Sequence, residues 1–188
     1  MPSPELEAAP EHPLTLRLKP GLASVRGDLD AALAGYLAAV ADNPSSAWDQ
    51  ARIASLKVRL GRPEEAIVHT DMALRLSPFE PTLVGYSHLW AGIAEFYLDR
   101  ETAAYERMRQ SLAAGRHPTR LNALYWLASL AALQGNQAQA QQHAAEVMQL
   151  APGYTVARWR SSAVFTHPRL VAGRERFAEG MKKAGIPE

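Results

Sequence analysis

Three residue types return together along this chain at a spacing too regular for an ordinary globular domain. A turn-favouring residue stands at Gly27, Gly61, Asp99 and Gly135, and an alanine follows each by five residues, at Ala32, Ala66, Ala104 and Ala140. A proline closes each unit, at Pro44, Pro78, Pro118 and Pro152. The turn and alanine series step by 34, 38 and 36 residues, the prolines by 34, 40 and 34. A period of this length builds stacked supersecondary units, none of which buries its apolar face alone.

Each marker has a physical task. The glycine ends one helix and lets the chain reverse within a few residues, which calls for a left-handed backbone. Asp99 takes that place in the third unit, and Asp tolerates positive φ better than most residues. The alanine falls where two helices cross closely, and the proline stops the second helix. Pro63 followed by Glu64 and Glu65 suits a first helical turn, where carboxylates complement the positive end of the helix dipole.

On these residues the chain resembles the tetratricopeptide-repeat (TPR) family, and the expected fold is all-α: a right-handed α-α superhelix of about three full repeats, a half repeat and a C-terminal capping helix. Residues 1–13 read as a disordered leader, with four prolines and a local charge of −3 from Glu5, Glu7 and Glu11. Residues 14–188 read as the repeat domain: a partial repeat at 14–44, repeats at 47–78, 82–118 and 119–152, and capping helices over 154–188. Pro20 and Gly21 argue for a short or broken first helix. Longer connections are expected around Pro78–Leu83 and Ala114–Pro118. The final helix, Pro168 to Ala184, has Leu170, Val171, Phe177 and Met181 as its apolar members.

A narrower resemblance covers about Gly61 to Glu188. Gly61-Arg62-Pro63-Glu64-Glu65-Ala66, Leu76-Ser77-Pro78, Leu150-Ala151-Pro152-Gly153-Tyr154-Thr155 and the ending Phe177 to Pro187 (near F-x-E-G-L-R-K-A-G-L-P) are similar to the C-terminal TPR region of certain bacterial proteins. Those proteins begin with a class III adenylate/guanylate cyclase or a winged-helix regulator. The resemblance implies a docking or regulatory module in bacterial signalling and carries over no catalytic residue. Whether the chain stands alone or is a piece of a larger protein is left open.

Chemistry is hard to find in the residues themselves. With no cysteine, thiolate metal sites and cysteine nucleophiles are excluded. No two of the six histidines lie three or four apart, so no helix face offers a zinc pair. There is no phosphate loop and no nucleophile elbow. The expectation is a non-enzyme without cofactor or metal. Net charge is +1, and the seven Lys and Arg against three Glu over residues 158–188 read as solvated surface. Nucleic acid and membrane are therefore not expected partners, and the cytoplasm is the expected compartment.

The TPR resemblance implies a concave groove lined by the first helix of each pair. Its expected residues are Trp48, Ser55 and Arg59 in one unit, then Tyr86, Trp90, Ile93 and Tyr97. Asn122, Tyr125, Trp126 and Ser129 follow in the next. Tyr and Trp accompanied by Arg are common interface hot spots, so a protein or peptide partner is the leading reading. The clamp by which some TPR domains hold a chaperone's terminal carboxylates is absent, since its positions carry Ala51/Ser55, Leu89/Ile93 and Tyr125/Ser129. Self-association as a homodimer is an alternative, and a small-molecule sensor a further one.

Overall fold

A computed structural model describes residues 13–114, 119–161 and 166–188. Among these there is no strand. The ten α-helices are α1 (Pro13–Arg26), α2 (Leu29–Asp42), α3 (Ala47–Arg59), α4 (Pro63–Leu76), α5 (Pro81–Tyr97), α6 (Glu101–Ala114), α7 (Thr119–Leu133), α8 (Gln137–Leu150), α9 (Val156–Ser161) and α10 (Val171–Lys183). A 3₁₀ turn, Pro168–Leu170, leads into α10. The expected leader, save Pro13, and the connection at 115–118 with its closing Pro118 lie outside the described residues.

Helices α1 to α8 form four antiparallel pairs, and the same reversal joins each. Gly27, Gly61, Asp99 and Gly135 take φ of 85°, 74°, 60° and 78°. At Gly61 its own N–H donates to Val58 O and the next N–H, of Arg62, to Lys57 O, both at 2.8 Å. Asp99/Arg100 and Gly135/Asn136 repeat that pattern on Phe96/Glu95 and Ala132/Ala131. This double bond set satisfies the last carbonyls of the helix and needs a left-handed residue to close. Asp28 and Asn136 then cap the following helices by accepting from Ala31 N and Gln139 N.

The periodic alanines sit in the crossings. Ala32, Ala66, Ala104 and Ala140 are fully buried. Opposite Ala104, a Cβ on Gly92 would lie 3.2 Å from the Ala104 carbonyl and 2.8 Å from Met108 Cε. The α5–α6 pair is thus drawn as close as backbone allows.

The first helix corrects an expectation. α1 is continuous through Pro20 instead of short or broken. The reason lies across the pair, where a Cβ on Gly35 would come within 2.5 Å of Pro20 Cγ. The missing side chain at Gly35 makes a notch that the proline ring fills, which offsets the lost hydrogen bond. Gly35→Ala should therefore destabilise the chain by about 1–2 kcal/mol despite alanine's better helix propensity. Pro20→Ala should recover most of that loss in a double-mutant cycle read by chemical denaturation.

On α5, His88 faces Arg107, Asp71 and Glu106, and its Nδ1 is buried without a hydrogen-bond partner. Burial, assisted by the Arg107 cation, holds this imidazole at about 4, below the ordinary 6.5. A group whose folded pKa is depressed binds its proton more readily when unfolded. Its contribution is therefore complete above pH 6.5 and lost as pH falls toward 4. Allowing for screening at a half-buried site, the loss is about 1 kcal/mol. His88→Gln should flatten the decline in unfolding free energy between pH 6.5 and 4, compared with the unaltered chain.

Candidate partner-binding groove

The first helices of successive pairs, α3, α5 and α7, lie side by side and form the floor of the groove. Most of the expected groove residues face it, but they fall into two halves with different surroundings.

In the half formed by α5 and α7 the groove is filled. α10 lies across it, and Phe177 is fully buried among Trp126 (ring centroids 3.9 Å apart), Trp159 (4.7 Å) and Phe96 (6.0 Å). Ser129 Oγ donates to Phe177 O at 2.8 Å. Two glycines admit the helix: a Cβ on Gly180 would stand 2.2 Å from Ser129 Oγ, and one on Gly173 2.7 Å from the Tyr97 ring. Trp126 and Ser129, at 1% and 0% exposure, are thus core residues covered by the chain's own C-terminus, and Ile93, at 3%, belongs to the same core. Tyr97 is half-buried beside Phe96, and Tyr125 stacks on Tyr154 at 5.2 Å. Burial pushes both hydroxyls well above the ordinary tyrosine range. Asn122 is half-buried near the start of α7.

Charge fixes the line that this C-terminal segment follows. Arg169 reaches the reversal after α3, donating to Gly61 O at 3.0 Å and pairing with Glu64. Arg176 reaches the next reversal, on Phe96 O (3.2 Å) and Asp99 (2.8 Å), with its guanidinium 4.6 Å from the Phe96 ring centre. At the third, Gln137 donates to Lys183 O at 2.7 Å. The basic C-terminal stretch, expected as solvated surface, therefore pairs two of its arginines with carboxylates of the repeats. Val171, expected on the apolar face, is 48% exposed, whereas Leu170, Phe177 and Met181 are buried.

The half formed by α3 and the start of α5 is built differently. Trp48 packs on Tyr86 (5.7 Å) and donates Nε1 to Glu80 at 3.1 Å, and Trp90 packs on Tyr86 from the other side at 6.1 Å. Along one face of α3 stand Arg52, Ser55 and Arg59. Arg52 donates to the Tyr36 hydroxyl at 2.9 Å, with its guanidinium 5.6 Å from the Tyr36 ring centre and 5.9 Å from that of Trp48. Arg59 donates to Ser24 Oγ at 2.9 Å. Burial pushes the Tyr86 hydroxyl above its ordinary pKa, which the neighbouring Ser55 hydroxyl and the Arg52 charge oppose; Ser55 Oγ itself donates to Arg52 O at 2.8 Å. The expected set of Trp48, Ser55, Arg59, Tyr86 and Trp90 is thus brought together. Arg52 and Tyr36 were missed; the signal available for Arg52 was its place seven residues, two helical turns, before Arg59.

With this geometry in view, the comparisons with known proteins are consistent. The chain matches no protein-family model and no curated protein. Solved structures do match. PilW, a widely conserved type IV pilus biogenesis factor, aligns with a TM-score of 0.68 at 21% identity, covering 94% of this chain and 78% of that one. TTC0263, a thermophilic TPR protein from Thermus thermophilus, aligns at 0.64 and 19%, covering 94% and 85%. YrrB, a TPR protein with an unusual peptide-binding site, aligns at 0.60 and 20%, covering 96% and 88%. The fold is an all-α TPR solenoid. None of these three structures is described as cyclase-associated, and the narrower resemblance expected for residues 61–188 is not shown.

Among the described residues no helix is long and apolar enough to cross a membrane, and no group of three or more His, Asp and Glu could hold a metal ion.

Phe177→Ala should cost about 3 kcal/mol or more by chemical denaturation, since it leaves a cavity among three aromatic rings. It should also open Trp126 and Trp159 to acrylamide quenching of their fluorescence, which the unaltered chain resists.

Proposed function

We propose that the chain is a non-catalytic scaffold that binds a protein or peptide in the α3–α5 half of its groove. The observation that carries this is the grouping of Trp48, Tyr86 and Trp90 with Arg52 and Arg59 on a floor that α10 does not fill. TPR folds serve generally as protein-interaction scaffolds, and one matched structure is described as having a peptide-binding site. α10 gives the stereochemical precedent within the chain: the same floor holds a segment laid across it by aromatic contacts and by arginines on the turn carbonyls.

A docking or regulatory role in bacterial signalling, in the cytoplasm, rests on the resemblance of residues 61–188. Self-association has its own candidate surface at the open end of the α1–α2 pair. Leu18, Val25 and Leu37 are exposed on these two helices, which also line a cavity of 770 Å³ with Pro20, Ala31, Gly35 and Ala38. A small-molecule sensor has no comparable support, because the described groove shows no phosphate-binding loop.

Trp48→Ala tests the leading reading, because the indole forms one wall of the open half and little of the core. Peptides selected from a display library on the unaltered chain should bind this variant at least about tenfold more weakly, the loss expected of an aromatic hot spot. Its helicity by circular dichroism should be unchanged. Equal affinity for both proteins would remove the open half of the groove from the binding surface.

A further inference from the structure

The open half of the groove carries an imbalance of charge. Several cations drawn into the structure elsewhere meet carboxylates: Lys57 with Glu65 at 2.6 Å, Arg107 with Asp71 at 3.0 Å, Arg176 with Asp99 at 2.8 Å; Arg174 instead donates to Arg160 O at 2.6 Å. Arg52 and Arg59 meet none among the described residues; they donate instead to the hydroxyls of Tyr36 and Ser24. Arg59 is half-buried, its Nε is closed to water without a hydrogen-bond partner, and desolvation lowers its pKa. A desolvated guanidinium with no counter-charge is costly to keep in a fold and favourable to neutralise.

The surroundings complete a receptor for an anion. Arg52, Ser55 and Arg59 fall on one face of α3, with the Tyr86 hydroxyl close enough to feel both cations. Gly21 of α1 borders the same place: a Cβ there would lie 3.4 Å from the Tyr36 hydroxyl and 3.9 Å from Arg52 Nη1, so its missing side chain leaves the approach to Arg52 open. Trp48 supplies an apolar wall beside the cation.

We propose that this cluster is a carboxylate-binding site, and that the scaffold's partner is a peptide carrying acidic side chains interleaved with apolar ones. The inference rests on the peptide-binding reading of the groove and adds the chemistry of the ligand. Two guanidinium groups two turns apart, with origins about 10 Å apart along the helix, suit separate single charges on an extended peptide, the flexible side chains making up the few ångströms of difference. In such a peptide alternate side chains share a face about 7 Å apart. A phosphate dianion would call for donors that converge on one point. The cations of this receptor stand at other positions than the chaperone-tail clamp, whose lysine and asparagine positions are Ala51 and Ser55 here.

The test uses the full chain and three labelled hexapeptides: Glu-Leu repeated three times and amidated, its Gln-Leu counterpart amidated, and the Gln-Leu peptide with a free terminal carboxylate. Fluorescence anisotropy should show the Glu peptide binding at least about tenfold tighter than the amidated Gln peptide, as expected for a charge-assisted hydrogen bond. That preference should shrink as salt rises. The Arg59 Nε–Hε resonance should shift with the Glu peptide. Arg52→Gln and Arg59→Gln should each remove most of the preference, Arg59→Lys should keep part of it, and Arg75→Gln, on the exposed side of α4, should keep all of it. Gly21→Leu should also weaken the Glu peptide, by filling the approach while leaving both arginines in place. Equal binding of the two amidated peptides overturns the carboxylate site; if Trp48→Ala then weakens both alike, the peptide-binding reading survives without it. Tight binding confined to the free-acid peptide assigns the site to a chain terminus and overturns the acidic-side-chain proposal, as does no binding of the Glu peptide at millimolar concentration.

Discussion

Everything in this fold depends on a reversal made four times in the same way. A left-handed residue, glycine in three pairs and Asp99 in the other, lets each first helix end in a doubly bonded turn and its partner begin almost at once. The reversal sets the hand of each pair, and the buried alanine five residues later sets how closely the pair closes. Repetition then brings the first-helix ends to one edge of the molecule. Those ends present helix C-terminal carbonyls, which carry partial negative charge, beside acidic residues such as Glu64, Asp99 and Glu101. The cationic C-terminal segment is laid along that edge.

The groove is consequently divided by charge as well as by occupancy. Where α10 lies, arginines arrive from the C-terminal segment and find carbonyls and carboxylates provided by the repeats. In the other half the arginines belong to the repeats themselves, and no facing carboxylate stands among the described residues. The aromatic residues do the complementary work in both halves. They form a knot around Phe177 in one, and the walls beside Arg52 in the other.

The local part of this arrangement was legible in the sequence. Helix pairing, the left-handed positions including Asp99, and the crossing alanines all follow from propensities and spacings that act within a few dozen residues. Pro20 was misread because the proline penalty is a property of the isolated helix, whereas its remedy, the bare backbone at Gly35, lies on another one. Ile93, Trp126 and Ser129 carry the right register for a groove. That Trp126 and Ser129 are covered depends on where residues 168–183 dock, and Gly173 and Gly180 give that away only once their partners Tyr97 and Ser129 are known. Arg52 escaped because the family's groove positions skip it, although its two-turn offset from Arg59 was in plain view.

The C-terminal segment also has a length. From Arg169 to Lys183 is about 20 Å of largely helical rise, which equals two spacings between neighbouring first helices at about 8–10 Å each. It therefore measures the stack, touching one reversal at each end and one in the middle. Solenoids commonly grow or shrink by duplicating or deleting whole units, because each unit contacts only its neighbours. Here a unit inserted between Gly61 and Gln137 would pull the outer contacts a full spacing apart, and α10 would need about two more turns to follow. The closing helix makes the number of repeats between those two reversals a shared property of the chain.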